Sequence, residues 1–312
     1  MSDGTSGAAR AVAELFAHSS HATRWLFRDR GALDAAYAAV NARAGLPLTA
    51  AETAACACEW SARAFGEAQR LGLALPVGAT AALFVQRFLT RVPFTAEKPP
   101  ALAGAAVLLA AKAQEGFTYS MPLDRLVGAL AATARVAEDD LAALEARLLQ
   151  TLAFDVRVYL VGDATDRLTA DFVRGAALAA APAAALARAA QPVLLRALCS
   201  TVVLLHTPAQ VAAAVLGVAA ASAASGTGAS EEEKGLPARF AAWLDGAVAA
   251  RPGADVGAVR AAVGDAQRAL AAEVADAGAQ TALYQSALAK CKQYKQSRAA
   301  RAPSGAPAAP VS

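Results

Sequence analysis

Ala101–Gln114 reads ALAGAAVLLAAKAQ, and Lys112 is its only charge. A segment that is apolar on all sides is a buried helix. Further along, Leu141–Phe154 reads LAALEARLLQTLAF. On a wheel of about 100° per residue, Leu141, Leu144, Leu148, Leu149 and Leu152 form one stripe, and Glu145 lies roughly 40° from its centre. A carboxylate inside an apolar face needs a cation, and a lysine on a buried helix needs an anion. The reading is that the two pair, and that the pair does more than stabilise.

Moving outward, helix signals bracket both segments. Thr49-Ala50-Ala51-Glu52 is a capping box that opens a helix to about Leu71. Pro76 opens a helix carrying Leu83, Phe84, Phe88 and Leu89, which ends before Pro93. Pro99-Pro100 precedes the buried helix and Gly116 ends it. Ser120-Met121-Pro122 starts a short helix, and Glu138, Asp139 and Asp140 favour the positive end of the next. Five helices result. The pattern then recurs: Pro208 stands 108 residues after Pro100, and PAQVAAAVLGVAA follows it as PALAGAAVLLAAK follows the first. Helices expected from about Asp163, Ala187, Leu236 and Asp255 complete a second set of five. The charged pair does not repeat, because the same offset puts Ala220 and Gly253 at its positions.

The fold class expected is all-α. Alanine, the best helix former, dominates and β-branched runs are few. The domains expected are an N-terminal segment and helix over 1–48, a first repeat over 49–158, a second over 159–255, a C-terminal helical region over 256–298 and a disordered tail over 299–312. One helical region is expected over about 10–44, with Trp25 and Phe27 near its middle. Ser222–Glu233 is read as a loop. Ala197–Ala224 is strongly apolar, but Thr207 caps and Pro208 starts a helix within it, so two buried helices fit better than a membrane span.

Chemistry is excluded more readily than assigned. The net charge of +3 is too small to argue for nucleic acid. His18, His21 and His206 have no metal-ligand spacing, nor do Cys56, Cys58, Cys199 and Cys291, which are read as reduced intracellular thiols. No phosphate-binding loop and no nucleophile elbow occurs. No cofactor or metal is expected. The basic end Lys290–Arg301 is read as a solvated helix end, with nuclear import or nucleic-acid contact as the functional alternative.

The run LLAAK on a buried helix, followed by LExxLLQTLAFDV, resembles the cyclin box. VGATAALFVQRFLTR, with Arg87-Phe88, is similar to that family's second helix, and the duplicated five-helix layout to its architecture. Within the family the details lean towards the cyclin H branch: Arg24-Trp25-Leu26-Phe27, LLHTPAQVAAAVLGVA and ALAKCKQ. The cyclin C branch is the second choice. ETAACACEWSARAF does not match the substrate-docking patch of cell-cycle cyclins. Ala113 stands where the family often has a bulky residue, and Tyr159-Leu160-Val161-Gly162 departs from its Asn-Pro-Tyr-type segment.

The resemblance implies a regulatory subunit, not an enzyme, that binds and activates a cyclin-dependent kinase. It implies a CDK-activating kinase acting in transcription with TFIIH, with an assembly factor as a further partner, in the nucleus. It implies that Lys112 and Glu145 bond backbone groups of the kinase, with Leu109, Ala113, Phe154 and Val156 as the apolar contact. Trp25 and Phe27 are expected to anchor the N-terminal helix and help fix the kinase. The alternatives are a cyclin C-like subunit of Mediator, a core pair in a helical scaffold, or a TFIIB-like factor. The last expects an N-terminal zinc ribbon and a basic face, and the first forty residues hold no cysteine.

Overall fold

Why two sets of helices form is plainest at their centres. Residues 16–114, 121–250 and 255–301 are described by the computed structural model. Gly116, Ser120, Gly253, the first fifteen residues and the tail from 302 lie outside them. The described residues contain helices and no strand. They begin with α1 (Ser20–Trp25) and α2 (Arg30–Ala44). The first repeat is α3 (Ala50–Arg70), α4 (Leu75–Leu89), α5 (Pro99–Ala113), α6 (Leu123–Ala134) and α7 (Glu138–Thr151). The second is α8 (Val161–Gly175), α9 (Ala180–Cys199), α10 (Pro208–Ala224), a short α11 (Glu231–Lys234), α12 (Leu236–Ala249) and α13 (Val256–Ala275). A last helix, α14, covers Ala277–Arg301.

The apolar segments occupy the centres. Every residue of α5 from Ala101 to Ala111 is buried, and α5 touches α3, α4, α6 and α7. In the second repeat α10 plays the same part against α8, α9, α12 and α13. A helix enclosed by four others can carry no polar face. Gly104 lets α7 approach, since a Cβ there would stand 3.2 Å from the Leu141 side chain. The repeats meet where α9 and the 3-10 turn Thr201–Leu204 pack on α3 and α4.

Local capping chemistry set these boundaries as the sequence suggested. The capping box expected at Thr49 forms with Glu52, and Thr207, expected as a cap, closes a box with Gln210 as well. Three boundaries differ. The helical region expected over about 10–44 is broken at Leu26–Asp29, because Ser19 and Asp29 each cap a separate helix and the Phe27 N–H donates to the Leu204 carbonyl across the molecule (2.8 Å). Ser222–Glu233 is not one loop: α10 runs to Ala224, and Ser230 caps α11. Helix α9, expected from about Ala187, starts at Ala180, whereas α13 opens after Asp255 as expected, within the C-terminal region.

That C-terminal region is docked. Tyr284, Ala287 and Cys291 of α14 are buried, and α14 packs along α3. Glu52 serves twice: it closes the α3 capping box and accepts hydrogen bonds from Ser286 (2.6 Å) and Lys290 (3.0 Å). Burial alone would raise its carboxyl, but bonds from Lys290, Ser286 and Thr49 outweigh that and hold it at about 2. The Tyr294 hydroxyl donates to the Ala44 carbonyl (2.9 Å), tying the far end of α14 to α2.

Candidate functional site

Two adjacent helices of the first repeat bring the predicted pair together. Lys112 sits on the last turn of α5 and Glu145 at mid-length on α7. Lys112 Nζ donates to Glu145 Oε2 at 2.7 Å. The depth differs from the sequence reading. The Glu145 side chain keeps only 11% of its exposure, but Lys112 keeps 43%. Helix α5 is buried through Ala111 and its last turn rises to the surface. The pair therefore lies at the rim of the repeat, with the carboxylate facing inward and the ammonium facing water.

The second repeat has no counterpart, though its apolar replacement differs from the one the fixed offset suggested. Counted from the first helical residue, the position of Glu145 on α7 is that of Val263 on α13, which is 2% exposed. Ala220 on α10 is fully buried.

Beyond the pair, α7 ends in an unusual turn. Ala153 and Phe154 both have positive φ, 53° and 60°, without being glycine. The left-handed region is disfavoured for residues with a Cβ. The turn is held by amide bonds from Ala153 to Gln150, Phe154 to Leu149 and Asp155 to Leu152. Its result is that Phe154 is 68% exposed. Val156 turns back and packs, partly buried, against the core, as does Ala113. Leu109 is 5% exposed. Leu109, expected at the contact, is part of the hydrophobic core.

The N-terminal aromatics are also internal. Trp25 is 2% exposed, so it has no surface to give a partner. Its Nε1 donates to Asp155 Oδ2 (2.7 Å), and the guanidinium groups of Arg87 and Arg91 lie 5.2 Å and 5.3 Å from its ring centre. Ser20 donates to Asp155 Oδ1 (2.5 Å). His21 accepts from the Tyr159 N–H (3.3 Å), and its ring meets those of Phe16 and Tyr159. Burial, then the charge of Arg87, pushes the His21 imidazole down to about 3 against the opposing pull of Asp155. Phe27 is partly buried. Helix α1 thus clamps the strand of chain that joins the repeats.

Two residues in this cluster were missed as site residues. Arg87 is fully buried on α4, and its guanidinium nitrogens make no hydrogen bond among the described residues. Burial lowers it to about 10, with Asp155 opposing. A lone arginine inside LFVQRFL was the available signal. Asp155 offered none, because its partners are 130 and 135 residues away.

Residues 67–157 match the cyclin N-terminal domain family. That stretch is similar to a cyclin box. Arg87, Lys112, Glu145 and Phe154 all fall inside the matched stretch. No curated protein sequence matches the chain. Among solved structures, it is similar to a chain of the CAK complex from Chaetomium thermophilum bound to ATP-gamma-S: 18% identity over 97% of this chain and 99% of that one, with a TM-score of 0.68. It is also similar to a chain of the yeast TFIIK (Kin28/Ccl1/Tfb3) complex, at 20% identity over 81% and 99%, with a TM-score of 0.63. These likenesses carry the fold over both repeats. Among the described residues, no group of three or more His, Cys, Asp or Glu side chains could hold a metal ion, and no helix is long and apolar enough to cross a membrane.

Proposed function

We propose that this chain is the regulatory subunit of a cyclin-dependent kinase, of the cyclin H kind, and that it adds no catalysis of its own. The observation that carries this is the rim placement of the Lys112–Glu145 pair, which joins α5 to α7, the helix whose C-terminal turn projects Phe154. The matched cyclin box and the likeness in fold to chains of the CAK and TFIIK complexes support the kinase-activating, transcription-linked form of the reading. The partners that follow are a kinase catalytic subunit, an assembly factor and TFIIH, in the nucleus.

On this reading the side chains act by presenting a preformed surface. Lys112 and Glu145 hold each other before the partner arrives, so fewer rotamers are lost on docking. Phe154 supplies the apolar anchor, with Ala113 and Val156 at its base. The bound kinase is shifted towards the state in which its internal Lys–Glu pair and metal-binding loop are in register. That shift is limited to the difference in affinity for the two states. Purifying the native protein under mild conditions tests the proposal: a kinase catalytic subunit should accompany it in equal amount. Recovery of the folded chain with no kinase would overturn it.

A further inference from the structure

We propose that Trp25 and Asp155 are positioning residues for the partner surface, and that helix α1 acts by fixing the turn that projects Phe154. The inference rests on the kinase-docking reading above and says how its apolar anchor is set. Three observations carry it.

First, Phe154 is exposed only because Ala153 and Phe154 accept left-handed backbone that side chains with a Cβ resist. Such a turn persists when its surroundings over-determine it. The three amide bonds within the turn come from the end of α7 itself, and helix ends fray.

Second, the residue that follows Phe154 is held from outside. Both Asp155 oxygens accept hydrogen bonds from α1, one from the Ser20 hydroxyl and one from the Trp25 indole. Hydrogen bonds to an ionised acceptor are the strong kind. Four residues later, the Tyr159 N–H donates to His21. Helix α1 thus grips the chain just beyond the strained turn at two points.

Third, the carboxylate lies beside a buried cation. Arg87 is a buried cation whose nitrogens lack hydrogen bonds among the described residues, and it faces the Trp25 ring. Asp155 is the anion that opposes its burial. Trp25 therefore sits against one partner and bonds the other, so its loss loosens both.

The test uses the full-length chain and two mild variants, Trp25→Phe, which keeps a ring over Arg87 but removes the N–H donor, and Asp155→Asn. Amide hydrogen exchange is read at Phe154, Asp155 and, as a control, Leu144 and Leu148 within α7. Exchange at Phe154 and Asp155 should rise tenfold or more while the control amides stay protected. Unchanged exchange at Phe154 and Asp155 would overturn the proposal. The docking arm measures affinity for the kinase subunit recovered with the native protein, in Asp155→Asn, Phe154→Ala and the double variant. Positioning predicts that Asp155→Asn weakens binding at least fivefold in the native background and less than twofold once Phe154 is gone. Equal losses in both backgrounds would show general destabilisation and overturn it. Failure of the native chain to bind any kinase would count against the docking reading, and is told apart by the exchange result, which needs no partner.

Discussion

Removing Lys112 strands a carboxylate that water barely reaches, whereas removing Glu145 leaves an ammonium already at the surface. The two single variants should therefore differ. Lys112→Ala should cost about 1–3 kcal/mol, the penalty of an unsatisfied buried acceptor. Glu145→Ala should cost under about 1 kcal/mol, the range of exposed pairs. Urea unfolding of both variants checks the asymmetry, and equal losses would mean that the pair is buried or exposed as a unit. The sequence showed that the residues pair, because each was out of place in an apolar face. It did not show their depth, because α5 is uniformly apolar up to the turn where it leaves the core. The resemblance alone implied Leu109 as a contact, and Leu109 is buried.

At the scale of elements, the N-terminal segment is two devices. Helix α1 clamps Asp155, but α2 belongs to the core: Leu33 and Tyr37 are fully buried, and Asn41 donates to the Leu48 carbonyl and the Thr53 hydroxyl. Deleting residues 1–45 would strip this layer from α3. The expected outcome is a lowered melting temperature or failure to fold. Deleting only residues 1–26 should leave both repeats folded and reduce kinase binding. Circular dichroism melts of the two truncations decide between one anchor and two, and equal stability would remove the distinction. The capping box at Thr49 and the cap at Thr207 were legible because their chemistry closes within four residues. The break at Leu26–Asp29 was not, because the group that satisfies the Phe27 amide lies in the second repeat. The C-terminal helix was legible as a helix but not as a strut, since its anchor on Glu52 is 238 residues away.

For the whole molecule, the junction between N-terminus and repeats makes stability depend on pH. Folding holds His21 at about 3, against an ordinary value of 6.5. Between those values the unfolded chain binds a proton that the folded chain refuses, so stability falls as pH drops through 6.5 towards 3. His206, also lowered by burial, adds to the same slope. Glu52 acts lower: its stabilising ionisation is present above 4.5 and fades towards 2. Melting temperature should therefore drop between pH 7 and pH 5, and His21→Gln should flatten that drop without abolishing it. An unchanged slope would mean that His21 is not held neutral. The duplicated architecture was legible from one repeated apolar segment, since a helix enclosed by four others leaves a strong composition signal. The surface it presents was less so, because exposure of Phe154 depends on two backbone angles and a distant helix. The central claim is that the pair at the rim serves a partner and not the core. The most direct measurement is kinase activation by the double variant Lys112→Met, Glu145→Leu, with its thermal melt taken alongside. The account predicts a melt close to that of the native chain and a loss of activation of tenfold or more; full activation by the stable double variant would contradict it.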